Sequence, residues 1–192
     1  MVGKETRRKK IKYNNSAGNK FVPEFIFGIR GTLNMRLWHY RLIPVLPDLQ
    51  LLSQWRELIA IASRINKLGF PNHILVNRIM EFSPKEFLSY ANMVITEMKN
   101  RKYEVNENLV NTMTSLINSN ASKFSKAFVD DESIKKPFKD WHNYRYLTQC
   151  FYNLQEKYDC GRINCTDWER ILKFYIVESN DDELHSDEEI IF

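Results

Sequence analysis

The 192-residue sequence contains little glycine and little proline, six of each. It also lacks long runs in which β-branched residues alternate with polar ones. A β-sandwich or a barrel needs frequent turns and alternating strands, so these absences disfavour both architectures. Hydrophobic residues still make up 43% of the chain, which is long enough to bury a core. The sequence therefore predicts an all-α protein, a compact single-domain bundle of about six helices with irregular N- and C-terminal tails.

The sequence also lacks features of membrane and secreted proteins. No apolar run approaches the roughly 20 residues that a membrane-spanning helix needs. The basic residues 7–10 lead into a polar stretch rather than the apolar core of a secretory signal. The three cysteines, Cys150, Cys160 and Cys165, form no CxxC pair, and a zinc site of Cys160, Cys165 and His142 would match no common module. We therefore expect a cytoplasmic protein with free thiols, no metal and no membrane partner.

Charge is distributed unevenly along the chain, although the net charge is only +4. Residues 1–34 contain eight Lys and Arg side chains and two Glu, whereas residues 177–192 contain seven Asp and Glu and no Lys or Arg. The remaining body has 20 basic and 15 acidic side chains. A modestly basic body suits a polyanionic partner, without requiring one.

These differences divide the chain into a basic, poorly ordered leader (1–34), a helical domain (35–176) and an acidic tail (177–192) that we expect to be disordered. Three interpretations of the leader remain open: a basic DNA-binding arm, a disordered extension, or residues encoded upstream of a natural start at Met35. The third is favoured, because the codons for Arg30-Gly31 can resemble a ribosome-binding site a short distance before Met35.

Apolar residues recur at spacings of three and four, as on the buried face of a helix. The sequences Ser83–Glu86 and Thr166–Glu169 both have the pattern of a capping box, which starts a helix. Residues 118–139 are predicted as a surface connection, because charged clusters and a proline interrupt the pattern. Six helices are predicted. The first extends from Asp48 to just before Gly69, the second contains His73 to Met80, and the third follows Ser83. The fourth follows a cap at Asn106, the fifth runs from Tyr144 to near Gly161, and the sixth follows Thr166.

No Walker A loop, dinucleotide-binding fingerprint, HExxH motif or nucleophile elbow occurs in the sequence. The sequence from Met35 instead resembles the opening of the pyrimidine-dimer DNA glycosylase family, of the phage endonuclease V type, and looks closest to a poorly characterised bacterial branch. Patches of similarity extend over roughly residues 35–160. The residues that carry the resemblance are Met35-Arg36-Leu37-Trp38-His39, Leu42-Ile43-Pro44, Leu46-Pro47, Gln50-Leu51-Leu52, Trp55-Arg56-Glu57-Leu58, the block from His73 to Lys102, and the block from His142 to Lys157.

The resemblance implies a compact helical protein that acts as a DNA repair glycosylase with associated AP-lyase activity. In this family a chain-terminal amine attacks C1′ of a damaged nucleotide, expels the base and forms an imine, and a carboxylate then assists strand cleavage. An α-amine suits this reaction, because its pKa of ~8 leaves more neutral amine at pH 7 than a lysine pKa of ~10.4 does. The implied partner is double-stranded DNA with a damaged or abasic site, bound by a monomer without a cofactor.

Carried over position by position, Glu57 matches the catalytic carboxylate of the family and Arg56 matches a DNA-contacting arginine. Met35 takes the place of the initiator, and Arg36 takes the place of the nucleophilic threonine. We therefore predict Glu57, Met35 and Arg36 as catalytic residues. Arg56, Arg36, His73 and His39 are predicted to contact DNA, and the first three are expected to form one positive, concave surface that includes Glu57.

Arg36 departs from the family pattern, because arginine after an initiator methionine normally leaves that methionine in place. The nucleophile is then the amine of Met35, displaced by one residue, or is missing. The alternative function is accordingly a non-catalytic helical protein that binds DNA or protein and has lost the nucleophile. Taken without the resemblance, Glu57 is a surface carboxylate in an ion pair, and the histidines at 39, 73 and 142 are hydrogen-bonded and partly buried.

Overall fold

The computed structural model describes residues 36–68, 74–126 and 134–180. Every regular element in these ranges is helical, which confirms the predicted all-α fold. Met35 and His73, both predicted to function in the site, lie outside the described residues. No helix in the three ranges is long and apolar enough to span a membrane. The elements are α1 (Asp48–Leu68), α2 (Ile74–Met80), α3 (Pro84–Asn100), α4 (Glu107–Ser119), α5 (Tyr144–Asp159), α6 (Cys165–Glu178) and two 3-10 helices, Tyr40–Val45 and Ala121–Lys123.

The predicted start of α3 is confirmed. The Ser83 hydroxyl accepts a hydrogen bond from the Glu86 amide at 3.2 Å, and the Glu86 carboxylate accepts one from the Ser83 amide at 3.3 Å. This reciprocal capping box satisfies two amides that have no partner inside the helix. Asn106 caps α4 as expected, because its side-chain oxygen accepts from the amides of Asn108 and Leu109.

The predicted start of α6 at Thr166 is wrong by two residues. Asn164 is the N-cap, and its side-chain oxygen accepts a hydrogen bond from the Asp167 amide at 2.8 Å. Asparagine is a stronger N-cap than threonine, so the helix begins at the earlier residue. At its other end α6 continues through Glu178, beyond the expected domain boundary at residue 176, and Glu178 pairs with Arg41 on the first 3-10 helix.

The core lies between α1, α3 and α4, and α5 packs against α6. The apolar stripe predicted for α1 is buried at Leu51, Trp55, Leu58 and Ile65. Trp38 is also buried. The N-terminal segment, Arg36 to Trp38, therefore packs against α1, and α1 positions the site described below.

The first 3-10 helix is held in place by the guanidinium group of Arg101, at the end of α3. This group donates to the carbonyl oxygens of Leu46 at 2.6 Å and Pro44 at 2.9 Å, and it pairs with the carboxylates of Asp48 and Glu97. Carbonyls at the end of a short helix have no internal partner, so this single side chain satisfies several of them.

Candidate active site

The segment from Arg36 to Trp38 is bound to α1 through two side chains. The Trp38 amide donates to the side-chain oxygen of Gln54 at 2.8 Å, and the Arg36 amide donates to Oε2 of Glu57 at 3.2 Å. Gln54 and Glu57 are one helical turn apart and lie on the same side of α1. Because the order of the two amides is opposite to the order of their acceptors, the segment runs antiparallel to α1.

Two tyrosines hold the carbonyl groups of the same segment. Tyr146, on α5, donates its hydroxyl hydrogen to the Leu37 carbonyl, and Tyr90, on α3, donates to the Trp38 carbonyl at 2.7 Å. Side chains from α1, α3 and α5 therefore bind consecutive backbone groups between residues 36 and 38. A segment bound in this way has few alternative conformations, so the backbone nitrogen of Arg36 is held in one place beside Glu57.

The Glu57 carboxyl group has an unusual pKa. The Glu57 side chain is partly buried, and this burial raises its pKa from 4.5 to about 7. The hydrogen bond from the Arg36 amide and the charges of Arg36 and Lys157 act in the opposite direction. Protonated and ionised forms therefore coexist near neutral pH. A carboxyl group in this state can accept a proton in one step of a reaction and return it in another.

Two predicted arginines lie near this carboxylate in different environments. Arg36 is half-buried, and its guanidinium carbon lies 5.3 Å from the centre of the Trp38 ring. This cation–π contact orients a charge that also favours the ionised form of Glu57. Arg56 is exposed on α1, directly before Glu57. The structure thus brings Arg36 and Glu57 together and leaves Arg56 accessible to a partner.

Lys157, on α5, is a site residue that we did not predict. Its charge acts on the Glu57 carboxyl group, and its side chain is half-buried. Lys157 follows Tyr146 by eleven residues, which is three helical turns, so both residues lie on the side of α5 that faces the N-terminal segment. The one available signal was its position at the end of the third block of family resemblance.

His39, which was predicted to contact DNA, has a fully buried side chain. Its Nε2 donates to the His142 carbonyl at 2.7 Å, and its Nδ1 accepts from the Arg41 amide at 3.3 Å. Burial lowers the pKa of His39 to about 4, so the ring is neutral at physiological pH. The expected hydrogen bonds are present at His39 and also at His142, whose Nδ1 accepts from the Tyr40 amide, but both side chains are buried rather than partly buried.

Two surface depressions lie away from Glu57. One follows the outer side of α5, and the other lies between the first 3-10 helix, α3 and α6, with Tyr40, Arg41 and Phe174 among its lining residues. Neither is lined by Glu57, Arg36 or Arg56. The expected concave DNA-binding surface around Glu57 therefore stays a prediction.

Comparison with known proteins gives one match. Residues 35–111 match a family model described as pyrimidine dimer DNA glycosylase. No curated protein and no solved structure matches the chain. The matched range extends from the N-terminal segment into α4, so it contains Arg36, Arg56 and Glu57, whereas Lys157 lies beyond it. The resemblance predicted from the sequence is therefore confirmed over residues 35–111, and the family that the match supports is that of the pyrimidine dimer DNA glycosylases.

Proposed function

We propose that this protein is a DNA repair glycosylase with associated AP-lyase activity on pyrimidine dimers, and that the reaction proceeds through an imine. The observation that carries the proposal is the 3.2 Å contact between the backbone nitrogen of Arg36 and Oε2 of Glu57. The contact joins a nitrogen at the N-terminal edge of the matched range to the carboxylate that the family resemblance implies is catalytic.

The identity of the reactive amine depends on what precedes Arg36. In a chain that begins at Arg36, its nitrogen is a primary amine in hydrogen-bonding contact with Glu57. In a chain that begins at Met35, as we expected, the amine is one residue farther from the carboxylate. With any residue before it, the Arg36 nitrogen is an amide, whose lone pair is delocalised and does not attack carbon. The two starts therefore place the amine at different distances from Glu57, and the contact that the structure shows is made by the Arg36 nitrogen.

The chemistry follows from these two groups. The neutral amine attacks C1′ of the damaged nucleotide, the C1′–N bond to the base breaks, and ring opening gives an imine. Ionised Glu57 then removes a proton from C2′, and the electron pair shifts to break the C3′–O bond, so the 3′ phosphate leaves. Water hydrolyses the imine and restores the amine. A pKa of about 7 for Glu57 suits a group that must both accept and return a proton.

The positively charged side chains around this site bind the phosphates of the DNA backbone. Arg56 is exposed and Arg36 is partly exposed, so both can contact phosphates on either side of the lesion. His73 stays a proposed DNA contact. A damaged base must leave the base stack to reach Glu57. The partner that we propose is double-stranded DNA, bound by a monomer. The proposed location is the cytoplasm, at the nucleoid.

Borohydride trapping tests the proposal, because borohydride reduces an imine to a stable secondary amine. Chains beginning at Arg36 and at Met35 are released from a cleavable fusion and mixed with a duplex that contains one abasic site. We expect a covalent adduct with both chains, and at least several-fold more with the Arg36 chain. Glu57→Gln should still be trapped but should cleave the strand more slowly, because the amine remains and the proton acceptor is lost. Absence of an adduct with every chain, while DNA binding persists, would identify a non-catalytic DNA-binding protein instead.

A further inference from the structure

Two buried histidines connect the residues that follow the N-terminal segment to the turn before α5. The Tyr40 amide donates to Nδ1 of His142 at 3.1 Å, and Nε2 of His39 donates to the His142 carbonyl at 2.7 Å. The two imidazole rings are stacked, with their centres 5.1 Å apart. These contacts, which we call the histidine clasp, join residues that are more than a hundred positions apart in the sequence.

The clasp requires both rings to be neutral, and it fixes the position of each ring hydrogen. Nδ1 of His39 accepts from the Arg41 amide at 3.3 Å, so the ring hydrogen is on Nε2. Nδ1 of His142 accepts from the Tyr40 amide, so its ring hydrogen is also on Nε2. Burial lowers the pKa of both histidines below the ordinary value of 6.5, which keeps these hydrogen bonds intact at neutral pH.

The His142 ring has a property that packing alone does not explain. The residue is 2% exposed, and its Nε2 has no hydrogen-bond partner within the described residues. A buried N–H group without a partner destabilises the fold, and an apolar side chain would avoid that loss. The hydrogen bond that the ring does form is the one from the Tyr40 amide. The feature that requires a polar ring at this position is therefore its acceptor nitrogen.

The clasp lies close to the bonds that place Arg36. Trp38 directly precedes His39, and its amide donates to the side-chain oxygen of Gln54 at 2.8 Å. The Arg36 amide, two residues earlier, donates to Glu57 at 3.2 Å. An extended chain advances about 3.3–3.6 Å per residue, so the clasp lies within roughly 15 Å of the Arg36 nitrogen. Across so short a span, a displacement at the clasp changes the position of that nitrogen.

We propose that His142 is a positioning residue for the reaction at Glu57. Its Nδ1 holds the Tyr40 amide, and this bond keeps the N-terminal segment in the orientation that sets the Arg36 nitrogen against Glu57. His142 is buried, so it acts through the segment and does not touch the DNA. His39 supports it by binding the His142 carbonyl. The inference rests on the proposed function, because it assigns His142 to that reaction.

Hydrogen exchange in the full 192-residue chain tests whether His142 holds the segment. His142→Leu removes the acceptor nitrogen. We expect the Trp38 amide to exchange roughly tenfold faster relative to the Val94 amide of α3, because the segment opens locally while the core stays closed. His142→Asn should return this ratio to within about twofold of the parent, because the side-chain oxygen of asparagine can accept from the Tyr40 amide in place of Nδ1.

Met113→Ala is the control for a general loss of stability, because Met113 is buried on α4 and forms no part of the clasp. It should speed the exchange of both amides alike, so the ratio of Trp38 to Val94 should stay within about twofold of the parent. An unchanged ratio in His142→Leu, or an equal rise in Met113→Ala, would overturn the inference. A ratio in His142→Asn as high as that in His142→Leu would also overturn it.

Steady-state cleavage of an abasic duplex, by the full chain and by the chain that begins at Arg36, connects the segment to the reaction. His142→Leu should lower kcat by about fivefold or more and leave KM within about twofold, because the reacting groups are misplaced while the exposed cations are intact. His142→Asn should keep most of the parent kcat. An unchanged kcat in His142→Leu would overturn the inference and leave the proposed function standing. If no parent chain cleaves the duplex or is trapped, the proposed function is wrong, and the exchange ratio still decides whether His142 holds the segment.

Discussion

The Tyr90 hydroxyl lies 2.7 Å from the Trp38 carbonyl and 3.1 Å from the side-chain oxygen of Gln54, so one buried phenol connects α3, α1 and the N-terminal segment. Tyr90→Phe removes the donor and leaves the Trp38 carbonyl without this bond in the core. We expect a loss of about 1–3 kcal/mol in the free energy of unfolding, measured by urea denaturation. Borohydride trapping should fall as well, because the segment that leads to Arg36 becomes less ordered.

Tyr152→Phe is the matched control for this change, because Tyr152 is 61% exposed on α5 and its hydroxyl is available to solvent. It should alter the free energy of unfolding by less than about 0.5 kcal/mol. Equal stability losses in the two variants would contradict the assignment of Tyr90 as the residue that holds Trp38.

Glu57→Gln should stabilise the protein at high pH. The folded pKa of about 7 lies above the ordinary value of 4.5, so the fold prefers the protonated form. The stability that this preference provides is complete below pH 4.5 and is lost as the pH rises through 7. Glutamine carries no charge at any pH and can still accept the Arg36 hydrogen bond, so the variant escapes this loss.

The expected gain in the free energy of unfolding is roughly 1–3 kcal/mol at pH 8, since each pKa unit corresponds to about 1.4 kcal/mol and the side chain is partly screened by solvent. The difference between variant and parent should shrink towards zero at pH 5. Urea denaturation at both pH values measures it. A constant difference across this range would show that Glu57 does not have a raised pKa.

Elements set by local chemistry were predictable from the sequence. Ser83 and Glu86 are three residues apart and complete their capping box within one turn, so no knowledge of the fold is needed to place the start of α3. The same reasoning placed the start of α6 at Thr166 and failed, because Asn164 offered a better cap two residues earlier. Local patterns therefore identified this helix correctly and misplaced its boundary.

The site depended on contacts that no local pattern contains. Arg36 and Glu57 meet because α1 returns along the N-terminal segment, and only the family resemblance pointed to both residues before the fold was known. The charge of Lys157, on α5, acts on Glu57, which neither periodicity nor spacing specifies. His39 lies in a matched block like the site residues, yet its neighbours bury it. Burial is a property of the whole fold, so a local sequence block does not reveal it.

Arg101→Lys should destabilise the fold although it conserves charge. The planar guanidinium group binds the carbonyls of Leu46 and Pro44 together with the carboxylates of Asp48 and Glu97, and an ammonium group cannot reproduce that arrangement. We expect a loss of about 1–3 kcal/mol, seen as a lower urea midpoint. Arg78→Lys is the control, because Arg78 forms an exposed pair with Glu81 and should change stability by less than about 0.5 kcal/mol. Similar losses in both variants would show that the carbonyl contacts of Arg101 contribute little.

Arg56→Ala should weaken DNA binding without affecting the fold. Arg56 is exposed on α1 beside Glu57, so truncation removes a cation from the surface that we propose binds DNA and creates no cavity. Each phosphate contact contributes about 0.9 to the slope of log affinity against log salt concentration, because binding releases counterions from DNA. The slope for the variant should therefore be shallower by about 0.9, for damaged and undamaged duplexes alike, since a phosphate contact carries no base information.

Fluorescence anisotropy with a labelled duplex measures this slope. The salt concentration is varied between roughly 50 and 200 mM, where such contacts change affinity clearly. Lys173→Ala removes an exposed cation from α6, on the part of the surface that we do not assign to DNA, and should leave the slope unchanged. If Arg56→Ala and Lys173→Ala reduce the slope equally, binding reflects overall charge rather than a defined surface around Glu57. If Arg56→Ala leaves the slope unchanged, Arg56 makes no phosphate contact and its assignment to DNA binding is wrong.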